Sequence, residues 1–273
     1  MGSPDIVRLH GPTREQLDRC VAEHRLAIFS GLMDGQRATQ SWDLPYLRAK
    51  LGARSVKVVT HDRPRLYWDP RQGLPLRPLP FTELADSFER GNPGYSYLQD
   101  DVNSFPDLKD DYRLPAMMTD KGIVRGKFWL SGPNLITPLH YDPVETFHWV
   151  VRGTKRFVCY TPGVGRYYPF PNGSDAPFIS QVDPDQPEPD KYPRFRHARP
   201  IELRVREGEI LYLPAYWWHQ VYSEGAVNVS VNFVWFASRQ KNLRHFGQAL
   251  RARRHVARAL AAARALQRVI SPR

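Results

Sequence analysis

Apolar and polar residues change their rhythm along this chain near Lys127. Before that point, helix-spaced patterns alternate with short apolar runs. TREQLDRCVAEHR (13–25) places Leu17, Val21 and Ala22 at helical spacing behind Thr13, a residue suited to cap the first turn. LAIFSGL (26–32) reads as a buried strand. WDLPYLRAKLG (42–52) predicts a short helix stopped by Gly52, and FTELADSFERG (81–91) a second helix with the same kind of stop. SVKVVTHD (55–62) alternates as a strand does, and YSYLQ (95–99) is one more strand.

From Lys127 onward the segments KFWLSG, LHYD, FHWVV, KRFVCYTP, IELRV, EILYLP, HQVYS and NVSVNFVWF are rich in aromatic and β-branched residues, with Pro, Gly and Asn between them. Many short strands at such spacing predict an all-β barrel or double-sheet jelly roll rather than a βαβ fold. The Pro- and Asp-rich stretch 161–200 is expected to be a long surface excursion. Residues 241–270 carry Leu243, Phe246, Leu250, Ala257 and Leu260 at the spacing of an amphipathic helix interrupted at Gly247. The expected architecture is an all-β core with flanking helices and N-terminal α/β elements over residues 1–240, then a basic helical extension over 241–273. Such an extension is expected to cover its own domain or to join two copies into a homodimer.

Composition narrows the class of protein. The net charge of +11 is local: ten Lys/Arg and no Asp/Glu follow from Arg239 to the end, leaving 29 basic against 28 acidic residues elsewhere. The basicity reads as a solvated helix face. Nucleic-acid binding through it is the alternative, without a recognisable module to support it. No stretch reaches the ~18 consecutive apolar residues of a membrane span. The first residues hold no signal-peptide core, and Ile6 sits where a myristoylation signal wants Ser or Thr. Two cysteines, Cys20 and Cys159, form neither a disulfide framework nor a metal site, so a reduced, cytoplasmic setting is expected.

The chemistry concentrates in TPLHYDPVETFHWVVRGTKRF (137–157). In a strand, residues two apart point to one side, so His140 and Asp142 aim a ring nitrogen and a carboxylate at one point. Taken alone, the pair is explained by a hydrogen bond inside a barrel. His219, in GEILYLPAYWWHQVYS, adds a second imidazole that an adjacent strand can bring alongside. Two imidazoles and one carboxylate on one face of an octahedral ion suit Fe(II) and leave three positions open, enough for a bidentate co-substrate and O₂. His148 reads as a neighbour of that cluster or as substrate-facing, and His61, His245 and His255 as surface residues. Lys155 follows the turn Arg152-Gly153-Thr154 and starts a new strand, sharing a face with Phe157 and Cys159. An inward ammonium needs an anion, such as the far carboxylate of a free dicarboxylate bound through its 2-oxo acid end to the metal. The alternative is a lysine snorkelling to the barrel mouth.

Together, TPLHYD, the T-K-RF segment, LYLPAYWWHQV and VSVNF resemble the JmjC branch of the cupin fold, a double-stranded β-helix of Fe(II)- and 2-oxoglutarate-dependent oxygenases. The similarity is strongest to the small hydroxylases that include the asparaginyl hydroxylase acting on hypoxia-inducible factor. It extends to LAIFSGLMDG, WDLPYLRAKLG, FPDL and YSYLQ, and so covers most of the chain. It implies His140, Asp142 and His219 as catalytic iron ligands, with Lys155, Thr137 and the Tyr97 hydroxyl on the distal carboxylate of 2-oxoglutarate. Asn232 falls near the chelating end. Thr146 stands where the family commonly has Asn, a departure that leaves one contact to the co-substrate or oxygen site unassigned.

The resemblance implies a hydroxylase that couples conversion of 2-oxoglutarate and O₂ to succinate and CO₂ with attack on an unactivated C–H. A protein or peptide side chain is the expected substrate. A small molecule such as a free amino acid is the alternative, followed by RNA and by a cupin that only binds. Lys155 and Thr137 argue against the last, and histone demethylation is not expected in a short chain with no reader module.

Overall fold

In the computed structural model, residues 6–252 are described except 67, 68, 70–73, 93 and 173, together with residue 257. β1 (Val7–His10) leads to α1 (Arg14–Glu23), where Thr13 and Gln16 cap each other's backbone N–H groups in a capping box. β2 (Ala27–Ser30) pairs in parallel with β1. α2 (Arg37–Ser41) and α3 (Leu44–Leu51) follow, the latter capped by Asp43 and stopped at Gly52. β3 (Ser55–Val59), β4 (Arg77–Pro80), α4 (Phe81–Glu89), β5 (Tyr97–Asp101) and α5 (Ala116–Thr119) complete the N-terminal part. β4 (RPLP) holds two prolines and lies at the sheet edge, where their missing N–H groups cost least.

The β core comprises β6 (Arg125–Ser131), β7 (Ile136–Tyr141), β8 (Val144–Tyr160), β9 (Ile201–Arg206), β10 (Ile210–Leu213) and β11 (Trp218–Phe236). It is a jelly roll. The larger sheet runs β1-β2-β10-β8-β11-β6-β5-β3-β4, and the smaller one adds β9 to the far half of β8 and β7 to the near half of β11.

FHWVV and KRFVCYTP are therefore not separate strands, and neither are HQVYS and NVSVNFVWF. Each pair is one long strand, β8 and β11, that bends from one sheet into the other. The bend lies at Gly153 (φ +79°) and at a register shift between Glu224 and Val229. A Cβ at Gly153 would sit 2.7 Å from the Val227 carbonyl oxygen, so the close approach of the two bends needs glycine. Locally, Arg-Gly-Thr looks like a stop; the partner strand carries the ladder across it.

Alternation along these two strands sorts the side chains. Phe147 and Trp149 of β8, with Val229, Val231 and Phe233 of β11, point outward into the core under the N-terminal helices. Val158, Tyr160, Trp218 and Tyr222 point outward from the smaller sheet. Phe157, Cys159, Val150 and Leu211 fill the space between the sheets. Polar residues on the same inward faces make the site.

Residues 161–200 do more than skirt the surface. Tyr167, Ala176, Ile179, Val182 and Tyr192 are buried, and Ile179 pairs with His140 along the free edge of β7. The apolar segment AlaProPheIle in this otherwise polar stretch supplies that anchor. After α6 (Arg239–Arg244), the break falls at His245 rather than Gly247, and helix resumes over 246–252. Gln248 ties this segment to the body: its side chain accepts from Gly163 N–H and donates to the Tyr216 carbonyl, both at 2.8 Å. Leu243, Phe246 and Leu250 are exposed. Ala257 is helical and exposed; the rest of the expected extension, with His255 and Leu260, lies outside the described residues. Among those described, no helix is long and apolar enough to cross a membrane.

Candidate metal centre

β7 and β11 place the three proposed ligands. His140 and His219 are cross-strand partners, with ring centroids 4.1 Å apart. Asp142 lies just beyond β7, its Oδ2 3.8 Å from His219 Nε2. One donor atom from each residue falls within 4.8 Å of the other two. His140 Nδ1 lies 2.8 Å from the Pro138 carbonyl and His219 Nδ1 3.0 Å from that of Trp217. A carbonyl only accepts, so both Nδ1 atoms donate and both Nε2 lone pairs are free for a cation. Burial, reinforced by His140 and opposed by Asp142, lowers the pKa of His219 from 6.5 to about 3, so the ring stays neutral as a ligand must.

Lys155 faces the same interior. It is opposite Ser223 on β11, on the face that also carries Val221 and His219. The residue is 7% exposed, and its ammonium donates to Ser223 Oγ at 2.6 Å and to Ser131 Oγ at 3.3 Å. Among the described residues no carboxylate lies within ion-pair distance of it. Burial alone pushes its pKa down from 10.5 to about 7. This lysine does not snorkel.

Several buried polar atoms on this interior face have no hydrogen-bond partner among the described residues: the Tyr97 hydroxyl, Gln99 Oε1, Trp129 Nε1, Thr146 Oγ1, His148 Nε2, Ser230 Oγ and Asn232 Oδ1. Native interiors rarely leave so many polar atoms unpaired unless something else supplies partners. Register explains the clustering. Tyr97 is opposite Ser131, Gln99 opposite Trp129, Asn232 opposite both Lys127 and His148, and Thr146 opposite Val234. The donors, acceptors and cation fit a metal chelated by a dicarboxylate.

The expected site residues come together unevenly. His140, Asp142 and His219 cluster. Tyr97 lies beside Ser131, the serine that holds Lys155, and stacks on Trp129 with centroids 6.1 Å apart. Thr137 sits opposite Val221 on the same face, with no direct bond to Lys155 among the described residues. Thr146 is buried and its hydroxyl points to no protein group. His148 is buried against Phe157 and adjoins Lys155, His219 and Asn232; burial, then the Lys155 charge and the His219 ring, lower its pKa to about 3, with Asn232 opposing them. His61 and His245 are half-buried rather than surface residues, and His245 stacks on His24 at 5.4 Å.

Ser131, Ser223, Trp129 and Lys127 were missed from sequence. The signal for the three on β6 is the parity of KFWLS: Phe128 and Leu130 face the core, which turns Lys127, Trp129 and Ser131 to the interior.

The cupin-like domain family matches residues 12–242. Similar proteins include tRNA wybutosine-synthesizing protein 5 of Mus musculus, 27% identical over 250 residues, 84% of this chain and 77% of the relative. The bifunctional peptidase and (3S)-lysyl hydroxylase JMJD7 of Homo sapiens is 30% identical over 253 residues, 79% of this chain and 78% of the relative. Lysine-specific demethylase 8 of Xenopus tropicalis is 26% identical over 239 residues, 84% of this chain but 52% of the relative. None of these three is the asparaginyl hydroxylase, so nearness to that branch rests on the motifs alone.

Proposed function

This chain belongs to the cupin-like domain family, and from that premise we propose that it is an Fe(II)- and 2-oxoglutarate-dependent dioxygenase that hydroxylates a protein or peptide side chain. The observation that carries the reading is Lys155, a buried ammonium with only hydroxyl partners, on the same strand-pair face as His219. A burial this costly makes sense when an anion completes it.

His140, Asp142 and His219 would hold the metal on one side and leave the other open. The Pro138 and Trp217 carbonyls fix both rings in the tautomer a cation requires. Lys155, steadied by Ser131 and Ser223, would take the distal carboxylate of 2-oxoglutarate, with the Tyr97 hydroxyl as a further donor. Asn232 and Thr146 would serve the chelating end. When bound, the iron and co-substrate supply an O₂-derived oxidant strong enough for an unactivated C–H, with succinate and CO₂ as by-products. The apolar wall of Phe157, Val150 and Leu211 keeps water from the reacting face.

RNA is the second reading, favoured by the relative named tRNA wybutosine-synthesizing protein 5 and by the basic residues from Arg239 on. A small-molecule substrate and a homodimer through the C-terminal helices remain readings from sequence. The test is succinate formation from 2-oxoglutarate with Fe(II), alone and with peptide, metabolite and tRNA pools. Succinate that depends on His140, with oxygen incorporated into peptide, supports the proposal. The absence of succinate under every condition, with no effect of His140→Ala, removes it.

A further inference from the structure

A second lysine borders the centre and has no role so far. Lys127 lies on β6, opposite Asn232 and Asp101, with its side chain on the interior face beside Trp129. Its Nζ is 5.8 Å from the Trp129 ring centroid, a cation–π contact that holds it along the wall. Burial lowers its pKa from the usual lysine value, and the nearby Asp142 and Asp101 carboxylates act the other way, favouring its charge. Asp101, its cross-strand neighbour, is already paired to Arg125 Nε at 3.1 Å. Among the described residues, no carboxylate is within ion-pair distance of Lys127. Next to it, the indole N–H of Trp129 is also without an acceptor.

Position separates this pair from the co-substrate anchor. Along the interior face of β6, residues go from buried Ser131 through half-buried Trp129 and Lys127 to exposed Arg125. Ser131, with Lys155, marks the floor, so Lys127 and Trp129 lie toward the mouth, ~13 Å of strand from Ser131 to Lys127. Charge separates them too. A divalent ion, Asp142, Lys155 and a dianionic co-substrate sum to zero, which leaves Lys127 as an uncompensated positive charge beside the metal.

We infer that Lys127, with Trp129 N–H, is a substrate-binding pair that selects a carboxylate group presented at the mouth of the site. This deepens the oxygenase reading and rests on it. The carboxylate could be an Asp or Glu side chain of a peptide, or belong to a free amino acid, and the two call for separate arms of one experiment.

First, 2-oxoglutarate is titrated into the Mn(II)-loaded full chain by tryptophan fluorescence; no binding here would fell the oxygenase reading itself. Next, short N-acetylated, C-amidated peptides with Asp, Asn, Glu, Gln or Lys at the centre, and free aspartate and glutamate, are tested for binding to the loaded protein and for a one-oxygen mass gain with Fe(II). Wild type should prefer acid over amide by about 10- to 100-fold. Lys127→Met should erase that preference by at least tenfold and Lys127→Glu should turn it toward lysine, with the 2-oxoglutarate midpoint shifted no more than a few-fold. Peptides winning over the free acids identifies a side-chain substrate, and the reverse a small one. Equal use of acid and amide, no response to any acidic probe, or a preference that survives both variants overturns the inference. So does loss of 2-oxoglutarate binding in Lys127→Met, which would place Lys127 on the co-substrate instead.

Discussion

Replacing Lys155 with methionine should make the metal-free protein more stable and the holoenzyme nearly unable to bind its co-substrate. The substitution keeps length and removes charge. In the folded chain Lys155 titrates near 7 instead of 10.5 because it is buried. Between those values the unfolded chain keeps a proton that the folded chain has lost, so stability rises with pH from about 7 to 10.5. Below about pH 7 the full penalty applies, on the order of 4–5 kcal/mol. Methionine abolishes it and removes two hydrogen bonds, a loss of ~1–2 kcal/mol, while Ser131 and Ser223 keep their own 3.0 Å bond to each other. The net gain is roughly 3 kcal/mol at pH 7, several degrees in Tm, shrinking toward pH 10. Co-substrate binding moves the other way. Leaving its distal carboxylate buried without a partner costs ~3–5 kcal/mol, or about 10²- to 10⁴-fold in Kd. Thermal melts of metal-free protein from pH 6 to pH 10, paired with 2-oxoglutarate titrations of the Mn(II) form, read both effects. A methionine variant that melts lower than wild type at pH 7, or that binds 2-oxoglutarate as well, refutes the reasoning.

Three further outcomes are expected. His140→Ala, or Asp142→Ala, should weaken Mn(II) binding at least ~100-fold, measured by electron paramagnetic resonance of the free ion, since even the groups behind a metal ligand are worth 10–100-fold; unchanged affinity would move the metal elsewhere. His24 and His148 are buried and titrate near 3 instead of 6.5, so the unfolded chain takes up protons first and stability falls as pH drops from 6.5 toward 3. Denaturant unfolding at pH 7 and pH 4.5 should show a shallower loss in His24→Gln than in wild type, and an identical slope counts against neutral burial. Gly153→Ala forces a side chain onto φ +79° and against the Val227 carbonyl, and should cost ~1–3 kcal/mol in calorimetry; an unshifted melt means that the bend relaxes.

Much of this is legible in the chain itself. Thr13 with Gln16, Asp43, and the glycine stops bound the N-terminal helices where the pattern places them, because capping is local chemistry. The jelly roll and the pairing of His140, Asp142 and His219 were likewise within reach of period-two alternation and a known motif. The interior face of β6 was equally available from the parity of KFWLS but was passed over, because lysine and tryptophan in an aromatic strand look like surface and core.

Other features have no local signature. The continuity of β8 through Gly153 and of β11 through Gly225 depends on each strand being the other's partner, a contact between residues some 70 positions apart. The same holds for the packed anchor at Ile179, the break at His245, and the serines on Lys155. Sequence by itself determined which residues alternate, which cap and which offer ligand atoms, since those depend on neighbours within a few positions. Only the tertiary structure decided that, among the described residues, Lys155 has no carboxylate partner and Thr146 Oγ1 and Asn232 Oδ1 lie unpaired, and that Lys127 stands opposite Asn232 and Asp101. Pairing and burial are properties of segments brought together across two sheets, and no stretch of chain contains them.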